Sequence, residues 1–429
     1  MQKMRKMKDS GIEWIGEIPT DFSLYKLKYL LSSPLCYGAN ESGTLYSDIL
    51  PRYIRITDIS PNGTLKNSGM LSLDESSAQN YMLHEGDILF ARSGATVGKS
   101  FIYHNYYGRA AYAGYLIKAS FNRLVLPEFV YYYTCSSAYE IWKNSIFIQS
   151  TIQNIGADRY SNLPISVPNS IDKQLRIVRY LNNFCSKFDA IIYNLQTSIE
   201  DYKKLKQAVI TQAVTTLNSP NVKLKYLMDI IVDCPHETPI YTFTGNYLVI
   251  RTSDQSLASL RGDEYMYRLD EAEYKKRTRR LTLDKDDIVY GREGSWGLAC
   301  LVPQSNKYCL GQRVMQFRCN TRLLYPKYAM YALNSETVYM QGALDTIGST
   351  APHVNISTIR NYLLPVPTLT EQKEVADYLD AKCAEIDGLI AKKEQLVKEL
   401  ESYKKSLIYE VVTGKREIFT DITRKFPNI

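Results

Sequence analysis

The feature that most constrains this chain is internal repetition. Several segments occur twice, in the same order and at a nearly constant spacing of about 200 residues. One of these matches aligns Cys185 with Cys383 and Asp189 with Asp387. Ordered repeats of this length indicate two copies of one structural unit. The matched segments are 25–31 with 222–228, 53–60 with 249–256, 85–98 with 285–297, 173–192 with 371–390, and 208–215 with 406–413.

Each copy begins with short apolar runs separated by Gly, Pro and Asn, such as "DILFA" in the first copy and "DIVYG" in the second. This punctuation predicts mixed α and β structure. Each copy then changes to a long pattern without such punctuation. We therefore expect four regions, namely 1–168 (a first globular domain with the N-terminal segment), 169–217 (a central helix), 218–367 (a second globular domain) and 368–429 (a C-terminal helix and tail).

The two long patterns predict helices. From about 172 to 215, apolar residues recur at alternating steps of three and four, and only Lys206 interrupts the heptad seam. The counterpart, 370–413, repeats the seam with Lys393 as the interruption. The strips "SID" and "TLTEQ" supply N-cap and capping-box residues at the two starts. Each helix should be about 60 Å long.

Two equivalent apolar stripes in one chain favour pairing with each other. Antiparallel pairing is the preferred arrangement, because it relates the two copies by a two-fold axis and places the globular parts at opposite ends. The expected fold class is α+β, with two homologous α/β domains joined by two long antiparallel helices in a coiled coil and an internal pseudo-two-fold repeat. The alternative is that each helix packs only on its own domain.

The strip "ARSGATVGKS" at 91–100 is close to a phosphate-binding loop, in which four residues separate two glycines before Lys and Ser/Thr. Only three residues separate Gly94 from Gly98, and the second copy, "GREGSWGLAC", has no lysine or hydroxyl residue in the equivalent places. Both copies keep an apolar strand, then Arg-x-Gly, a turn and another apolar run. This pattern predicts a β-hairpin that carries a basic side chain at its tip, rather than a nucleotide site.

Bulk composition narrows the function classes only modestly. The 52 basic and 45 acidic residues give a formal charge of +7, which is compatible with nucleic-acid binding without establishing it. No run of about 18 uncharged apolar residues exists, so we expect no membrane span, and the N-terminus lacks the features of a secretory signal. The eight cysteines show no C-x-x-C spacing, which favours reduced packing cysteines in a cytoplasmic protein and no metal site.

Two similar but unequal domains on a rod suit a ligand with two unequal halves at fixed spacing, and duplex DNA with a bipartite site is the natural candidate. The segment "MKDSGIEWIGEIPTDFSLYKLKYL" at 7–30 resembles the opening of type I restriction-modification specificity subunits. The strips "LPVPTLTEQKEVADYLDAKCAEIDGLI" and "KKSLIYEVVTGK" resemble the conserved helical regions of that family. One departure is the end of the first helix, "KQAVITQAVTTLN", which lacks the Gly-Lys of the second copy.

The resemblance implies a sequence-specific DNA-binding subunit with two target recognition domains, each reading one half of a bipartite site, and a helical spacer between them. It also implies two docked modification subunits that methylate adenine, and restriction subunits that translocate and cleave double-stranded DNA. S-adenosylmethionine, ATP and magnesium are then expected only in the partner subunits, with no cofactor in this chain. The chain itself is expected to be non-catalytic, and it contains no Pro-Pro pair, so the adenine-methylating strip of such enzymes is absent.

Candidate DNA-binding residues come from the repeated strips. Phosphates should be contacted by Lys and Arg, and base edges by Arg, Asn, Gln or aromatic side chains. The hairpin tips, the matched strips at 149–159 and 348–358, the aligned arginines of the strips at 53–60 and 249–256, and a basic run supply them. The candidates are Arg55, Arg92, Ser93, Thr96, Lys99, Gln153 and Asn154 in the first copy, and Arg251, Lys275, Lys276, Arg277, Arg292, Ser295, Trp296, His353 and Asn355 in the second.

Two other functions are consistent with the same residues. One is a coiled-coil adapter whose two domains bind another protein without DNA. The other is an enzyme, using either the Lys99 loop for ATP or a nuclease-like arrangement of Glu273 and Lys275 with Asp263 upstream. That arrangement lies in a charged run and has no equivalent in the first copy, so it gives weak support to catalysis.

Overall fold

The chain forms two compact units, one of which is built from two separate stretches of sequence. The computed structural model describes residues 5–60, 63–148, 154–216, 218–294, 296–345 and 353–418. Unit 1 comprises Met1–Asn194 and Leu396–Ile429, and unit 2 comprises Leu195–Gln395. Both units combine helices and strands, so the mixed α and β prediction is confirmed for each copy.

Unit 1 contains the first set of strands and short helices and the first half of a long helix. Its strands are β1 (Met7–Asp9), β2 (Glu17–Pro19), β3 (Phe22–Lys26), β4 (Cys36–Tyr37), β5 (Thr44–Leu45), β6 (Arg52–Ile54), β7 (Leu71–Ser72), β8 (Ile88–Ala91), β9 (Ser100–Ile102), β10 (Ala110–Tyr112), β11 (Leu116–Ala119) and β12 (Pro164–Pro168). Its helices are α1 (Glu75–Ala78), α2 (Pro127–Thr134), α3 (Ser137–Ile148), α4 (Ala157–Ser161) and the beginning of α5 (Ile171–Thr215).

Unit 2 repeats this succession. Its strands are β13 (Asn221–Lys223), β14 (Met228–Asp233), β15 (Tyr247–Ile250), β16 (Gln255–Ser256), β17 (Ser259–Leu260), β18 (Arg268–Leu269), β19 (Ile288–Gly291), β20 (Ala299–Leu301), β21 (Tyr308–Leu310), β22 (Val314–Cys319) and β23 (Leu363–Pro365). Its helices are α6 (Glu271–Thr278), α7 (Pro326–Leu333), α8 (Glu336–Ala343), α9 (Ile356–Arg360) and the beginning of α10 (Leu369–Val412).

The sheets of the two units have matching topologies. Unit 1 has an antiparallel sheet of order β4-β11-β8-β9, and unit 2 has one of order β14-β22-β19-β20. Each unit also has a parallel pair, β6 with β10 and β15 with β21. In each unit the strand that opens the domain pairs with the strand that closes it, β3 with β12 and β13 with β23. The internal repeat inferred from sequence is therefore confirmed at the level of strand order.

The continuous apolar run in β8 follows from burial on both faces. Successive side chains of a strand point to opposite faces of the sheet. Ile88 and Phe90 accordingly enter the core that includes the long helices, while Leu89 and Ala91 enter a second core on the other face. Strand β19 divides its side chains in the same way between two cores of unit 2. An apolar run without alternation is the expected pattern for such a central strand.

The long helices pair antiparallel, as predicted. In unit 2, Tyr202 of α5 lies 5.5 Å from the Lys393 ammonium of α10, and Lys206 further along α5 pairs with Asp387, which comes earlier in α10. In unit 1, the ring of Phe188 lies 5.6 Å from that of Tyr403. The alternative in which each helix packs only on its own domain is thereby excluded, because each helix contacts the other as well as the domain core.

The predicted seam is buried over most of its length. Val178, Leu181 and Cys185 are buried on α5, and Leu379 and Cys383 are buried on α10. The middle of α10 differs, since Ile390, Val397 and Leu400 are only half-buried. The capping box at the start of α10 is present, because the Thr368 backbone N–H donates to the Glu371 carboxylate at 2.8 Å and the Glu371 backbone N–H donates to the Thr368 hydroxyl at 3.4 Å.

The cysteines are free thiols in the structure, and most of them are buried in the cores. Burial raises the pKa of the Cys185 thiol to about 11 and that of the Cys300 thiol to about 12. Both therefore stay protonated near neutral pH and behave as small apolar groups. Within the described part of the chain, no helix is long and apolar enough to cross a membrane.

Candidate nucleic-acid interface

The predicted hairpin is present in both units, and its tip lies beside the second predicted strip. Strands β8 and β9 pair antiparallel around a 3-10 turn at Gly94–Thr96, and Ser93 bridges Asn154. The Ile155 N–H donates to the Arg92 carbonyl at 2.9 Å. In unit 1 the fold thus brings together the hairpin tip and the strip at 149–159, which are far apart in sequence.

Unit 2 repeats this junction with other side chains. Strands β19 and β20 pair antiparallel, and Glu293 bridges His353. The Val354 N–H donates to the Arg292 carbonyl at 3.2 Å. We call the two junctions the unit 1 tip (Arg92–Lys99 with Asn154) and the unit 2 tip (Arg292–Gly294 and Trp296 with His353).

Buried tyrosines hold the backbone of the unit 1 tip in place. The Tyr160 hydroxyl donates to the Ala91 carbonyl at 3.0 Å, and the Tyr139 hydroxyl donates to the Gly98 carbonyl at 2.7 Å. Gly98 has a φ of +82°, and a Cβ there would lie 2.3 Å from the Lys143 side chain. The turn therefore needs glycine at this position, and its side chains project from a fixed backbone.

Arg92 rests on an aromatic ring. Its guanidinium lies 4.9 Å from the centroid of the Tyr37 ring, and its Nε is buried without a hydrogen-bond partner among the described residues. The backbone N–H of Arg92 donates to the Tyr115 carbonyl at 3.1 Å. Tyr37 is 43% exposed, so the arginine lies on an accessible aromatic side chain. A cation on a ring face keeps its in-plane N–H donors available for another acceptor.

Arg292 has different surroundings at the equivalent place. Its guanidinium lies 2.5 Å from the Glu293 carboxylate and 3.3 Å from that of Asp233, and the residue is only 9% exposed. The backbone N–H of Arg292 donates to the Arg313 carbonyl at 2.9 Å. The Arg313 side chain is 58% exposed. The shared arginine is thus neutralised in unit 2, and the neighbouring arginine is the more accessible cation.

The remaining tip residues have more modest contacts. Ser93, Thr96 and Lys99 are half-buried, and the Lys99 N–H donates to the Thr96 carbonyl to close the turn. Trp296 stacks on Tyr339 of α8, with ring centroids 4.4 Å apart and an interplanar angle of 5°. Its indole is therefore already covered on one face.

Of the matched strips, Asn154, His353 and Asn355 are half-buried. Asn355 occupies the N-cap position of α9, and no cap hydrogen bond from its side chain is present. Gln153 and Ser295 lie outside the described residues.

Arg55 and Arg251 occupy matching positions away from the tip turn. The Arg55 guanidinium donates to both oxygens of Asp58 at 2.8 and 3.1 Å, and Arg251 binds Asp254 in the same way at 2.7 and 2.8 Å. Each pair caps a 3-10 helix, Ile56–Asp58 in unit 1 and Thr252–Asp254 in unit 2. The hydrogen bond to Asp58 raises the pKa of Arg55. Both arginines therefore stabilise the 3-10 turns that they cap, and a DNA contact would use their remaining donors.

The basic run of α6 separates into two kinds of residue. Lys275 and Lys276 are exposed and pair with Glu271 and Glu237 at 2.6 and 2.7 Å. Arg277 is 8% exposed and donates to the carbonyls of Leu310, Gly311 and Glu237 at 3.0 to 3.2 Å. Arg277 therefore holds α6 against the end of β21, and a phosphate contact would require it to give up these bonds.

Asp263 and Glu273, the residues of the nuclease-like arrangement, have contacts or burial that fit a structural role. Asp263 accepts from Lys307 and from the Tyr308 hydroxyl at 2.5 and 2.8 Å, and Glu273 is buried within α6. Among the described residues, no group of three or more His, Cys, Asp and Glu side chains is arranged to hold a metal ion.

Four residues beside the tips escaped the sequence reasoning, namely Tyr37, Tyr115, Asp233 and Arg313. They come from strips that differ strongly between the copies, "PLCYGAN" and "VDCPHET" in one case. A cysteine in each strip favours aligning Cys36 with Cys234, but the strand register instead aligns Tyr37 with Asp233. For the two tyrosines, the signal available from sequence was the high tyrosine content of 35 residues.

A family model described as the type I restriction modification DNA specificity domain matches the chain twice, over residues 46–201 and 233–399. The MjaVIII specificity subunit of Methanocaldococcus jannaschii is 22% identical over 356 residues, covering 78% of this chain and 80% of that protein. The EcoBI specificity subunit of Escherichia coli is 26% identical over 130 residues, which span 30% of this chain and only 27% of that subunit.

A solved structure has the same fold. A chain from a structural study of complex assembly and conformational transition of the type I R-M system superimposes with a TM-score of 0.69 at 15% identity, covering 93% of this chain and 99% of that chain. The repeated α/β domain with paired antiparallel helices defines a protein of two homologous domains. Since the family model covers most of the sequence, this chain belongs to the type I restriction-modification specificity subunits, with two copies of the DNA specificity domain.

Proposed function

We propose that this chain is the DNA-recognition subunit of a type I restriction-modification complex and that each of its two domains reads one half of a bipartite site. The observation that carries the proposal is the comparison of the two tips. The same backbone bonds recur in both units, while the side chains differ at each equivalent place. Ser93 bridges Asn154 in unit 1, and at the equivalent place in unit 2 the bridge joins Glu293 to His353. A shared scaffold with exchanged hydrogen-bonding groups is what reading two different base sequences requires.

The paired helices are proposed to set the number of unread base pairs between the two halves and to dock two modification subunits. Both helices carry tyrosine side chains that are exposed to solvent. Tyr193 is 68% exposed on α5, and Tyr378 is 51% exposed on α10. Isolated exposed tyrosines on otherwise charged helices suit a protein interface, because tyrosine combines apolar area with a hydrogen-bonding group.

The chemistry is proposed to reside in the partners. The modification subunits would supply S-adenosylmethionine and methylate adenine, and the restriction subunits would use ATP and magnesium to translocate and cleave the DNA. The chain itself would be non-catalytic and cytoplasmic. This division is supported by the surroundings of the catalytic candidates, since Asp263 binds Lys307 and Tyr308 and Glu273 is buried in α6.

Single-molecule methylation sequencing tests the proposal directly. The chain is expressed with its cognate modification subunit in cells that lack other adenine methylation, and modified adenines are mapped. The expected result is one gapped motif, with adenines modified on both strands. Arg92→Ala should relax one half of this motif and leave the other half intact. Methylation without a gapped motif, or the same motif in cells without this chain, would contradict the proposed function.

A further inference from the structure

We propose that the last residue of β4 and β14, Tyr37 in unit 1 and Asp233 in unit 2, decides whether the shared arginine of the tip is offered to DNA. In unit 1, Tyr37 presents Arg92 to the major-groove edge of a guanine. In unit 2, Asp233 helps to lock Arg292 inside the protein, and the tip uses other groups. The inference rests on the proposed function and names the base class that one tip binds.

The equivalence of the two positions follows from strand pairing. Tyr37 pairs with Ile117, which in turn pairs with Phe90. In unit 2, Asp233 pairs with Met315, which pairs with Tyr290. Phe90 and Tyr290 are aligned by the repeated strips "DILFAR" and "DIVYGR". The two residues therefore occupy the same place beside the arginine that follows β8 or β19.

The two partners act on the guanidinium in opposite ways. The Tyr37 ring lies 4.9 Å from the Arg92 guanidinium, and no described residue accepts a hydrogen bond from that side chain. An aromatic face holds the plane of an arginine without occupying its donors. Guanine presents the O6 and N7 acceptors that match two parallel arginine donors, and this is the commonest specific contact in the major groove.

The carboxylates of unit 2 occupy one terminal nitrogen of Arg292, its Nη2, while its Nε, like that of Arg92, is buried without a partner among the described residues. Asp233 and Glu293 lie 3.3 and 2.5 Å from the Arg292 guanidinium and neutralise its charge. Arg292 would have to leave both carboxylates to bind a base, and it is only 9% exposed. In unit 2 the more accessible cation is Arg313, which lies at the position of Tyr115 and whose Nε is 4.0 Å from the Glu293 carboxylate. Equivalent tips thus offer different cations to DNA.

The test is carried out on the complete complex of this chain with its modification subunits. Duplexes of randomised sequence are selected on the complex, and the base preference at every position of the motif is measured by sequencing. Wild type is compared with Arg92→Ala, Tyr37→Asp and Tyr37→Phe. Tyr37→Asp places the unit 2 carboxylate beside Arg92, while Tyr37→Phe removes only the hydroxyl, which accepts from the Ala157 N–H.

The expected result is specific to one base position. Arg92→Ala and Tyr37→Asp should each lower the preference for guanine at the same position by about tenfold, with the other half of the motif unchanged. Tyr37→Phe should keep the preference. If Tyr37→Asp retains a guanine preference that Arg92→Ala loses, or if the variants weaken both halves equally, the inference is overturned.

A reciprocal variant covers the case in which Tyr37→Asp does not fold. Asp233→Asn with Glu293→Gln keeps the shape of both side chains and removes the charges that hold Arg292. A new guanine preference in the other half of the motif is expected, and an unchanged motif overturns the inference. A wild-type complex that selects no gapped motif contradicts the proposed function itself, and the inference falls with it.

Discussion

At the scale of single residues, partners rather than residue type decide what each arginine does. Arg55 and Arg251 cap turns, Arg277 binds backbone carbonyls, and Arg92 lies on a ring. The sequence shows all four as basic residues in plausible strips. Only Arg92 combines a position at the tip with donors that no described residue uses.

Arg277 provides the sharpest contrast with its neighbours. Arg277→Ala should destabilise unit 2 by about 2 kcal/mol, because buried carbonyls at Leu310 and Gly311 lose their donors. Lys275→Ala, in the exposed face of the same helix, is the matched control and should have no measurable effect. Hydrogen exchange of β21 measures both. Equal protection in the two variants would show that Arg277 does not hold α6 in place.

The limits of sequence reasoning are clearest at this scale. A charge run such as 275–280 gives no indication that one member is buried, because burial is set by the sheet beneath α6. Likewise, the equivalence of Tyr37 in unit 1 and Asp233 in unit 2 depends on strand register, which the cysteines at 36 and 234 obscure. The tip itself was predictable, since Arg-x-Gly after an apolar strand recurs in both copies.

At the scale of elements, the heptad seam and capping box predicted α5 and α10 to within a few residues. The Lys206 interruption of the seam is explained by pairing. Lys206 on α5 binds Asp387 on α10 within unit 2, at 2.8 and 2.9 Å. Lys404 on α10 binds Asp189 on α5 within unit 1, at 2.5 Å. The repeat aligns Lys206 with Lys404 and Asp387 with Asp189, so the internal symmetry duplicates one ion pair.

The two ion pairs should differ in strength because they differ in burial. The Lys206 side chain is only 7% exposed, whereas that of Lys404 is 25% exposed. Asp387→Asn leaves a buried ammonium without a counter-charge and should cost about 3 kcal/mol. Asp189→Asn leaves a more hydrated ammonium and should cost about 1 kcal/mol or less. Urea denaturation of the two variants gives the comparison, and equal losses would contradict the burial argument.

The start of α5 should be sensitive to acid. Burial alone would raise the pKa of the Asp21 carboxyl, but hydrogen bonds and charge from Lys173 and Arg5 outweigh it and hold this pKa below its ordinary value of 3.8. A carboxyl with a lowered folded pKa adds stability that is present above its unfolded pKa and is lost as the pH falls through the folded pKa.

Asp21→Asn should therefore be less stable than wild type near neutral pH, and the difference should shrink between about pH 5 and about pH 3. Hydrogen exchange of β3 and β12 at a series of pH values measures the effect within unit 1. A difference between the two proteins that stays constant with pH would show that the charge of Asp21 does not contribute.

At the scale of the whole molecule, the repeat predicted two copies of one domain, but not which parts of the chain complete each core. Sequence comparison aligns the end of α5 with the end of α10, since Ile210 matches Ile408. It does not say which domain either end contacts. The structure places Ile210 in the main core of unit 2 and Ile408 in the main core of unit 1. The C-terminal helix thus completes the unit formed by the N-terminal half of the chain.

Because the ends of α5 and α10 lie in the cores of different units, a substitution at the end of one helix is the control for the same substitution at the end of the other. Ile408 is 2% exposed and Ile210 is fully buried, so truncating either to Ala removes buried methyl groups and should cost about 2 to 5 kcal/mol. The loss should appear in different places. Ile408→Ala should speed hydrogen exchange in β3 and β12, although these strands are far from residue 408 in sequence, and Ile210→Ala should speed exchange in β13 and β23. If Ile408→Ala instead loosens the strands of unit 2, the C-terminal helix belongs to the core of its own copy, and the discontinuous unit described above is wrong.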